Sequence, residues 1–285
     1  MNYSHQFHAG NFADIFKHIT LIFCIERLIE KESPIFILDT HCGKSKYDLF
    51  EDASIATKEA EFGIKKFLGE ANYNNPIFHN YFNILLKINK FTSKKDLAKL
   101  KYYCGSGYII SKMLRKQDRL ALCELKKDEY KMLRKNIFGG NNIFFYNQNG
   151  FDLIKSNLPP KEKRGLIFID PAFEKNSATI SNDYNQIINS LQEAYKRFEH
   201  GTYIIWYPII DKEEQILNLN IFYENILNLK FKDITRIIFS SKDKYNQENK
   251  MSKCGIIAIN LPFTVEDKLK IVFSSENLSI EKINK

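Results

Sequence analysis

The stretch GLIFIDPAF, residues 165–173, is an apolar run that ends in a carboxylate, a proline and an aromatic ring. Such a run is typical of a buried strand in a parallel sheet. Asp170 and the Pro171 carbonyl could accept hydrogen bonds from an exocyclic amine such as adenine N6, and Phe173 could stack on a base removed from its helix. An ordinary strand followed by an Asp-Pro turn would have the same residues. This stretch alone therefore does not distinguish a base-binding site from a plain turn.

Seven short apolar runs predict seven strands. They are Ile35–Asp39, Leu120–Glu124, Ile143–Tyr146, Leu166–Asp170, Tyr203–Pro208, Ile234–Phe239 and Gly255–Ile259. The first five alternate with helical stretches, which predicts a parallel sheet with right-handed crossovers. The last two are closer together and predict an antiparallel hairpin. We therefore expect an α/β fold of the Rossmann-like methyltransferase type, with a seven-stranded, mostly parallel sheet.

Two helical regions lie outside this alternation. Residues 11–31 carry apolar side chains at helical spacing and predict a helix before the first strand. Residues 50–98 are too long for a plain crossover and contain helical patterns at Ala56–Leu68 and Phe78–Phe91. We expect a small helical insertion subdomain, over the carboxyl edge of the sheet, within one methyltransferase domain spanning residues 1–285.

The net charge of +8 and the pI of about 9.0 favour an anionic partner such as nucleic acid. Part of this excess is clustered lysine, although solvated helix faces look similar. The clusters include Lys94-Lys95, Lys99/Lys101, Lys112/Arg115/Lys116, Lys126-Lys127, Lys131/Arg134/Lys135 and Lys161/Lys163/Arg164.

No run of about 18 apolar residues is present, and the N-terminus is polar, so we expect a soluble, cytoplasmic protein without a membrane partner. The five cysteines form no Cys-x-x-Cys pair and predict reduced thiols. His5, His8 and His18 are close in sequence, but no further ligand occurs at metal-binding spacing. We therefore expect no metal.

Four chemically useful positions follow four successive strands. Gly43 follows the first, Glu124 ends the second, Asn149-Gly150 follows the third, and Asp170 ends the fourth. Because parallel strands end at one edge, these residues should face one crevice. Glu124 could accept both hydroxyls of a ribose. The Gly-x-Gly-x-x-Gly fingerprint is absent, which argues against NAD or FAD. The loop at 105–107, Gly-Ser-Gly, could offer backbone donors to a carboxylate, or could be a plain turn.

Several motifs occur in one order along the chain. They are the stretch from Tyr3 to His18 (YSHQFHAGNFADIFKH), LDTHCG at 38–43, GSG at 105–107, CEL at 123–125, NGF at 149–151, LPP at 158–160, IDPAF at 169–173, YKRF at 195–198 and GTYIIWYP at 201–208. Together they resemble the bacterial 23S ribosomal RNA adenine-N6 methyltransferase family RlmJ over residues 1–260. The resemblance implies S-adenosylmethionine as methyl donor, 23S ribosomal RNA as acceptor, and a Rossmann-like domain with a small helical insertion.

The resemblance also assigns roles to residues. It implies cofactor contacts at His18, His41, Ser106, Glu124, Asn149, Gly150 and Asp170, a catalytic group of Asp170, Lys17 and Phe173, and a substrate-base contact at Tyr3. Three positions depart from the usual pattern: Asn149 replaces an aspartate, Ala172 replaces a second proline, and Phe173 replaces a tyrosine. The segment 260–263, Asn-Leu-Pro-Phe, departs from Asn-Pro-Pro-Trp.

We therefore expect a monomeric enzyme that methylates adenine N6 in 23S ribosomal RNA with S-adenosylmethionine. One alternative is a DNA adenine-N6 methyltransferase with the same chemistry, although no appended target-recognition domain is visible. Another is a catalytically weak RNA-binding protein on the same fold, which the substitutions at Asn149 and Ala172 make conceivable.

Overall fold

The computed structural model describes residues 4–138, 140–173, 177–242, 252–274 and 276–283, with the backbone alone described at 177–181. Within these residues, eight strands form one sheet and two short strands pair separately. The bounds are β1 Phe36–Asp39, β2 Lys46–Asp48, β3 Tyr102–Cys104, β4 Arg119–Cys123, β5 Ile143–Tyr146, β6 Gly165–Ile169, β7 Thr202–Ile209, β8 Ile234–Ser240, β9 Lys253–Ile259 and β10 Asn277–Lys282.

The large sheet has the order β10-β8-β9-β7-β6-β1-β4-β5. Neighbours from β5 to β7 are parallel, whereas β9 runs antiparallel between β7 and β8. The predicted Rossmann-like α/β fold with a terminal antiparallel hairpin is confirmed. The predicted number of seven strands is wrong, because β10 adds an antiparallel edge strand beside β8. Most residues of β10 are exposed, so it lacks the apolar run from which the others were predicted.

Ten α-helices are described, and the first one covers the sheet. Their bounds are α1 Phe12–Ile29, α2 Asp52–Thr57, α3 Lys66–Glu70, α4 His79–Asn89, α5 Ser106–Met113, α6 Lys127–Asn136, α7 Gly150–Asn157, α8 Ser177–Phe198, α9 Glu213–Leu227 and α10 Val265–Val272. Helix α1 begins at Asn11, whose side chain accepts a hydrogen bond from the Asp14 amide at 2.8 Å, as expected for an N-cap. Helix α5 has Gly105 as its N-cap, so the Gly-Ser-Gly loop forms the start of a helix.

The predicted helix at Ala56–Leu68 is wrong as a continuous element. Helix α2 ends at Lys58, which has a left-handed φ of 55°, and a π-helical turn at Glu61–Lys65 precedes α3. Gly63 has a non-helical backbone because it lies directly on the Gly10 carbonyl, which accepts a hydrogen bond from the Ile64 amide at 2.8 Å. The second predicted helix, at Phe78–Phe91, corresponds to α4.

Part of the core lies between α1 and the sheet. Phe16 on α1 is fully buried and stacks on Phe239 of β8, with ring centroids 4.9 Å apart, while Phe273 meets both rings edge-on.

The five cysteines are all free and buried, and burial raises the pKa of each thiol. None of the described helices combines the length and the apolar character that crossing a bilayer requires.

The contact between Gly63 and Gly10 holds the insertion against the N-terminal segment, and substitution of Gly63 tests how much it contributes to stability. A Cβ at Gly63 would collide with the Gly10 carbonyl and with the backbone of Asn11. We expect Gly63→Ala to lower the free energy of unfolding by about 1–3 kcal/mol, the usual cost of overpacking. Gly69→Ala is the control, because nothing lies within 4 Å of its Cβ and alanine favours a helix. Equal urea-unfolding midpoints for the two variants would contradict this account.

Candidate active site

A cavity of about 550 Å³ opens at the carboxyl edge of the parallel strands, between the sheet, the start of α1 and the insertion. Nine of the ten residues singled out from the sequence line it. They are Lys17, His18, His41, Ser106, Glu124, Asn149, Gly150, Asp170 and Phe173. The tenth, Tyr3, lies outside the described residues. The structure therefore brings the predicted site residues together, as expected from the common edge at which their strands end.

A buried lysine is at the centre of the cavity wall. Lys17 is 5% exposed, and its Nζ lies 2.6 Å from Asp170 Oδ2 and 2.9 Å from Asp14 Oδ1. The same ammonium lies 5.2 Å from the centre of the Trp206 ring. Burial alone would raise the pKa of Asp14, but the charges of His5 and Lys17 hold it well below its usual value. Asp14 is therefore an anion that fixes the Lys17 ammonium beside Asp170.

Asp14 also fixes the segment that precedes α1. Its Oδ2 accepts hydrogen bonds from the Gly10 amide at 2.8 Å and from His5 Nε2 at 3.0 Å. Glu59 of the insertion binds His8 at 2.9 Å and the Asn11 side chain at 3.0 Å. These contacts hold the N-terminal segment and the insertion against the same end of α1.

The three histidines near the N-terminus have different neighbours. His5 and His8 pair with carboxylates, whereas His18 Nδ1 lies 2.9 Å from the Tyr103 hydroxyl. Burial lowers the pKa of His18 to about 3, so its ring is neutral at physiological pH. Among the residues described, no group of three or more His, Cys, Asp and Glu side chains has a geometry that could hold a metal ion.

The turn after β1 is joined to the end of β4. Glu124 accepts hydrogen bonds from the Gly43 amide at 3.0 Å and from the Lys126 amide at 2.7 Å. Burial raises the pKa of Glu124, and it lowers the pKa of His41 to about 4. The His41 ring meets Phe151 edge-on at 4.8 Å. Glu124 is thus held by two backbone donors and still has lone pairs for a ligand in the cavity.

Asn149 and Gly150 form the start of α7. The Asn149 side chain caps this helix by accepting a hydrogen bond from the Phe151 amide at 2.8 Å. A Cβ at Gly150 would collide with the carbonyl of Thr40, so glycine is needed where α7 approaches the end of β1. The substitution of aspartate by asparagine at 149 therefore preserves the cap, because either side chain can accept this hydrogen bond.

Asp39, the last residue of β1, does not line the cavity itself but interacts with residues that do, and it was not singled out from the sequence. It is fully buried beside the cavity, its Oδ1 accepts from the His41 amide at 3.3 Å, and its Oδ2 has no partner among the described residues. Burial raises its pKa to about 7; the charge of Asp170 adds to this rise, and the Ser106 hydroxyl offsets part of it. The signal in the sequence was a carboxylate at the end of the first predicted strand, four residues before Gly43.

Phe173 is less accessible than a stacking platform should be. Its side chain is 5% exposed, and its ring packs against Tyr184 at 5.2 Å and Trp206 at 5.9 Å. Its φ of 43° is left-handed, which is unfavourable for a bulky residue. The next residues, 174–176, lie outside the described part of the chain. Stacking of a base on Phe173 stays a prediction, and it requires the ring to be uncovered.

Comparisons with known proteins agree with this arrangement. The model of a family described as "Ribosomal RNA large subunit methyltransferase D, RlmJ" matches residues 32–278. A protein named ribosomal RNA large subunit methyltransferase J from Haemophilus influenzae is 35% identical over 270 residues, which cover 95% of this chain and 90% of that protein. A protein of the same name from Escherichia coli is 32% identical over 272 residues, covering 95% and 91%.

A solved structure is also similar over nearly its whole length. The crystal structure of protein LPL1258 from Legionella pneumophila has a TM-score of 0.82 and 32% identity, and the match covers 96% of this chain and 98% of that one. The similarity therefore includes the sheet, the insertion and the N-terminal helix.

The raised pKa of Asp39 predicts how stability depends on pH. Because its folded pKa is about 7 and its ordinary value is 3.8, the native state holds an extra proton between these values. This stabilisation is complete below the ordinary pKa and is lost as pH rises through about 7. In the ligand-free protein, wild type should therefore lose up to about 4 kcal/mol relative to Asp39→Asn over this range.

The comparison is made by urea unfolding of both proteins at a series of pH values. His18 and His41 titrate in both, so their contributions cancel in the difference. A difference between the two proteins that does not change with pH would show that Asp39 is ionised in the native state throughout.

Proposed function

Because the chain belongs to the RlmJ family of large-subunit ribosomal RNA methyltransferases, we propose that it methylates N6 of an adenine in 23S ribosomal RNA, with S-adenosylmethionine as donor. The observation that carries this proposal is the position of Asp170. It directly follows β6, it lines the cavity, and it is paired with a buried lysine. A carboxylate fixed in this way can accept a hydrogen bond from an exocyclic amine.

The residues of the cavity fit the proposed cofactor. Glu124 presents a carboxylate for the ribose hydroxyls, and the start of α7 at Asn149-Gly150 presents backbone donors and an amide side chain for the adenine. Because a Cβ at Gly150 would collide with the Thr40 carbonyl, glycine allows the start of α7 to lie directly against the end of β1. His18, His41 and Ser106 also line the cavity. When bound, S-adenosylmethionine supplies an electrophilic methyl group.

Asp170 has the central part in the proposed mechanism. Its carboxylate accepts a hydrogen bond from N6–H of the target adenine, which orients the nitrogen and concentrates electron density on it. The proton on N6 becomes acidic only after methyl transfer, so Asp170 need not be a strong base. Lys17 holds Asp170 in place with its ammonium 2.6 Å away. Tyr3 would contact the substrate base, and Phe173 would stack on it. Positioning should contribute most of the rate.

The same proposal includes the domain organisation, the oligomeric state and the cellular location of the protein. In this proposal, one domain with a helical insertion at 50–98 acts as a monomer in the cytoplasm. Methylation of duplex DNA in preference to ribosomal RNA would favour the DNA enzyme, and RNA binding without methyl transfer would favour the RNA-binding protein.

Substitution of Asp170 tests the proposed function. Asp170→Ala removes the acceptor and should lower kcat by roughly 10²–10³-fold, the range for loss of one preorganised electrostatic contact. Asp170→Asn keeps an oxygen but loses the charge, so its kcat should fall less. RNA affinity should stay near that of wild type. The assay is transfer of labelled methyl groups to 23S ribosomal RNA from cells that lack the modification.

Asp267→Asn is the matched control, because it removes an exposed carboxylate on α10, which contributes no residue to the lining of the cavity. It should leave kcat unchanged. If Asp170→Ala turned over at the wild-type rate, the mechanism would be wrong, and the RNA-binding alternative would explain the fold better.

Cofactor binding is predicted to depend on Glu124. Glu124→Ala should weaken binding of S-adenosylhomocysteine by roughly 1.5–3 kcal/mol, the range for hydrogen bonds to a charged group. Glu124→Gln keeps an acceptor for the Gly43 amide, so it separates ribose binding from disruption of the turn. Glu70→Ala, an exposed change in the insertion, is the control. Calorimetric titration that gave wild-type affinity for Glu124→Ala would remove this residue from the site.

A further inference from the structure

We propose that the outer face of the small β2–β3 sheet, together with the adjoining parts of α4 and α5, binds the phosphate backbone of the substrate RNA. This surface, called here the lysine surface, consists of Lys46, Lys87, Lys101 and Lys112 around the rings of Tyr102 and Tyr108. The inference rests on the proposed function and adds the place at which RNA is held.

The small sheet is a wall of the cavity with two different faces. Tyr47, in the middle of β2, is buried, lines the cavity and meets the His5 ring edge-on at 5.0 Å. Its opposite residue on β3, Tyr103, is also buried and binds His18. Because successive side chains of a strand point to opposite faces, Lys46 lies on the outer face. The outer face is therefore one strand thickness away from the cavity.

Two ammonium groups converge on the ring of Tyr102. Lys46 Nζ lies 3.7 Å and Lys101 Nζ 5.2 Å from the ring centroid. Lys101 also lies 3.4 Å from Asp48, whereas Lys46 has no carboxylate partner among the described residues. A cation above an aromatic face is stabilised by the ring and remains available to an anion. The Tyr102 ring is thus in contact with two cations, and the carboxylate of Asp48 is paired with Lys101.

A second pair of cations lies on the two helices next to β3 in the chain, Lys87 on α4 and Lys112 on α5. Lys112 of α5 lies 4.9 Å from the Tyr108 ring centroid. Burial lowers the pKa of Lys112, and the nearby charge of Lys87 lowers it further. Asn89 binds the backbone of Tyr102 and so packs α4 against the small sheet, while β3 leads directly into α5 through Gly105. In the described structure, neither Lys87 nor Lys112 has a carboxylate within ion-pair distance.

Phosphate is the anion that best fits this surface. Like charges held together without counter-ions repel one another, and a polyanion that bridges them relieves this repulsion. Lysine is a common contact for RNA phosphates, and such contacts position a nucleic acid without reading its sequence. Since the other face of the same sheet lines the cavity, phosphates bound here would belong to nucleotides near the target adenine.

The test is the salt dependence of RNA binding. The variant Lys46→Gln/Lys87→Gln/Lys112→Gln removes three cations, and unmodified 23S ribosomal RNA is the probe. The slope of log Kd against log [KCl] should decrease by about 2–3, from roughly 0.7–0.9 per lost phosphate contact. Affinity for S-adenosylhomocysteine and kcat at saturating RNA should match wild type. The corresponding triple arginine variant keeps the charges and should keep the wild-type slope.

Lys161→Gln/Lys230→Gln/Lys232→Gln is the matched control. It makes the same change of net charge with three exposed lysines that precede β6 and β8, at the opposite edge of the sheet. Its slope should stay near that of wild type. If both triple glutamine variants gave the same slope, the lysine surface would not be the RNA contact. If wild type itself failed to methylate the RNA, the proposed function would be wrong instead.

Discussion

The contact on which the site depends is the buried ammonium of Lys17 between two carboxylates. It joins α1 to the end of β6, since one partner, Asp14, lies on α1 and the other, Asp170, directly follows the strand. Removing charges from water is expensive, so such a cluster is stable only when each charge keeps its partners. Asp14 satisfies this condition through further contacts with His5 and the Gly10 amide. The N-terminal segment, α1 and the carboxyl end of β6 are therefore held together by one set of charges.

Most of the fold could be predicted because parallel strands buried on both faces are continuous apolar runs. Strand β10 escaped prediction because it is an edge strand with a mostly exposed, polar sequence. The break between α2 and α3 also escaped, since Gly63 is forced out of helical geometry by Gly10, more than fifty residues earlier in the chain. Local sequence patterns carry no information about contacts between residues so far apart in the chain. The pairing of β2 with β3 was missed for the same reason, because the insertion separates the two strands in the sequence.

The site was predictable where chemistry coincides with strand ends, as at Glu124 and Asp170. Asp39 also ends a strand and was missed, because its complete burial and the lack of a hydrogen-bond partner for its Oδ2 among the described residues come from tertiary packing. The coverage of Phe173 by Trp206 likewise comes from tertiary packing.

Asn260 and Pro262 are the residues of the segment 260–263 that match the usual Asn-Pro-Pro-Trp pattern, and the structure shows a role for the Asn260 side chain. Its amide donates to the carbonyls of Glu199 and Gly201 and so joins the end of β9 to the start of β7.

The burial of all five thiols has a practical consequence for work on this protein. A thiol reacts as the thiolate, and here burial both raises each pKa and blocks the approach of reagents. The native cysteines should therefore be inert toward maleimides and mild oxidants while the protein is folded. A single cysteine introduced on the surface of the insertion or on the small sheet would then be the reactive one. Fluorescent or spin labels could be attached there, and distances between the insertion and a labelled RNA followed during binding, without a cysteine-free background.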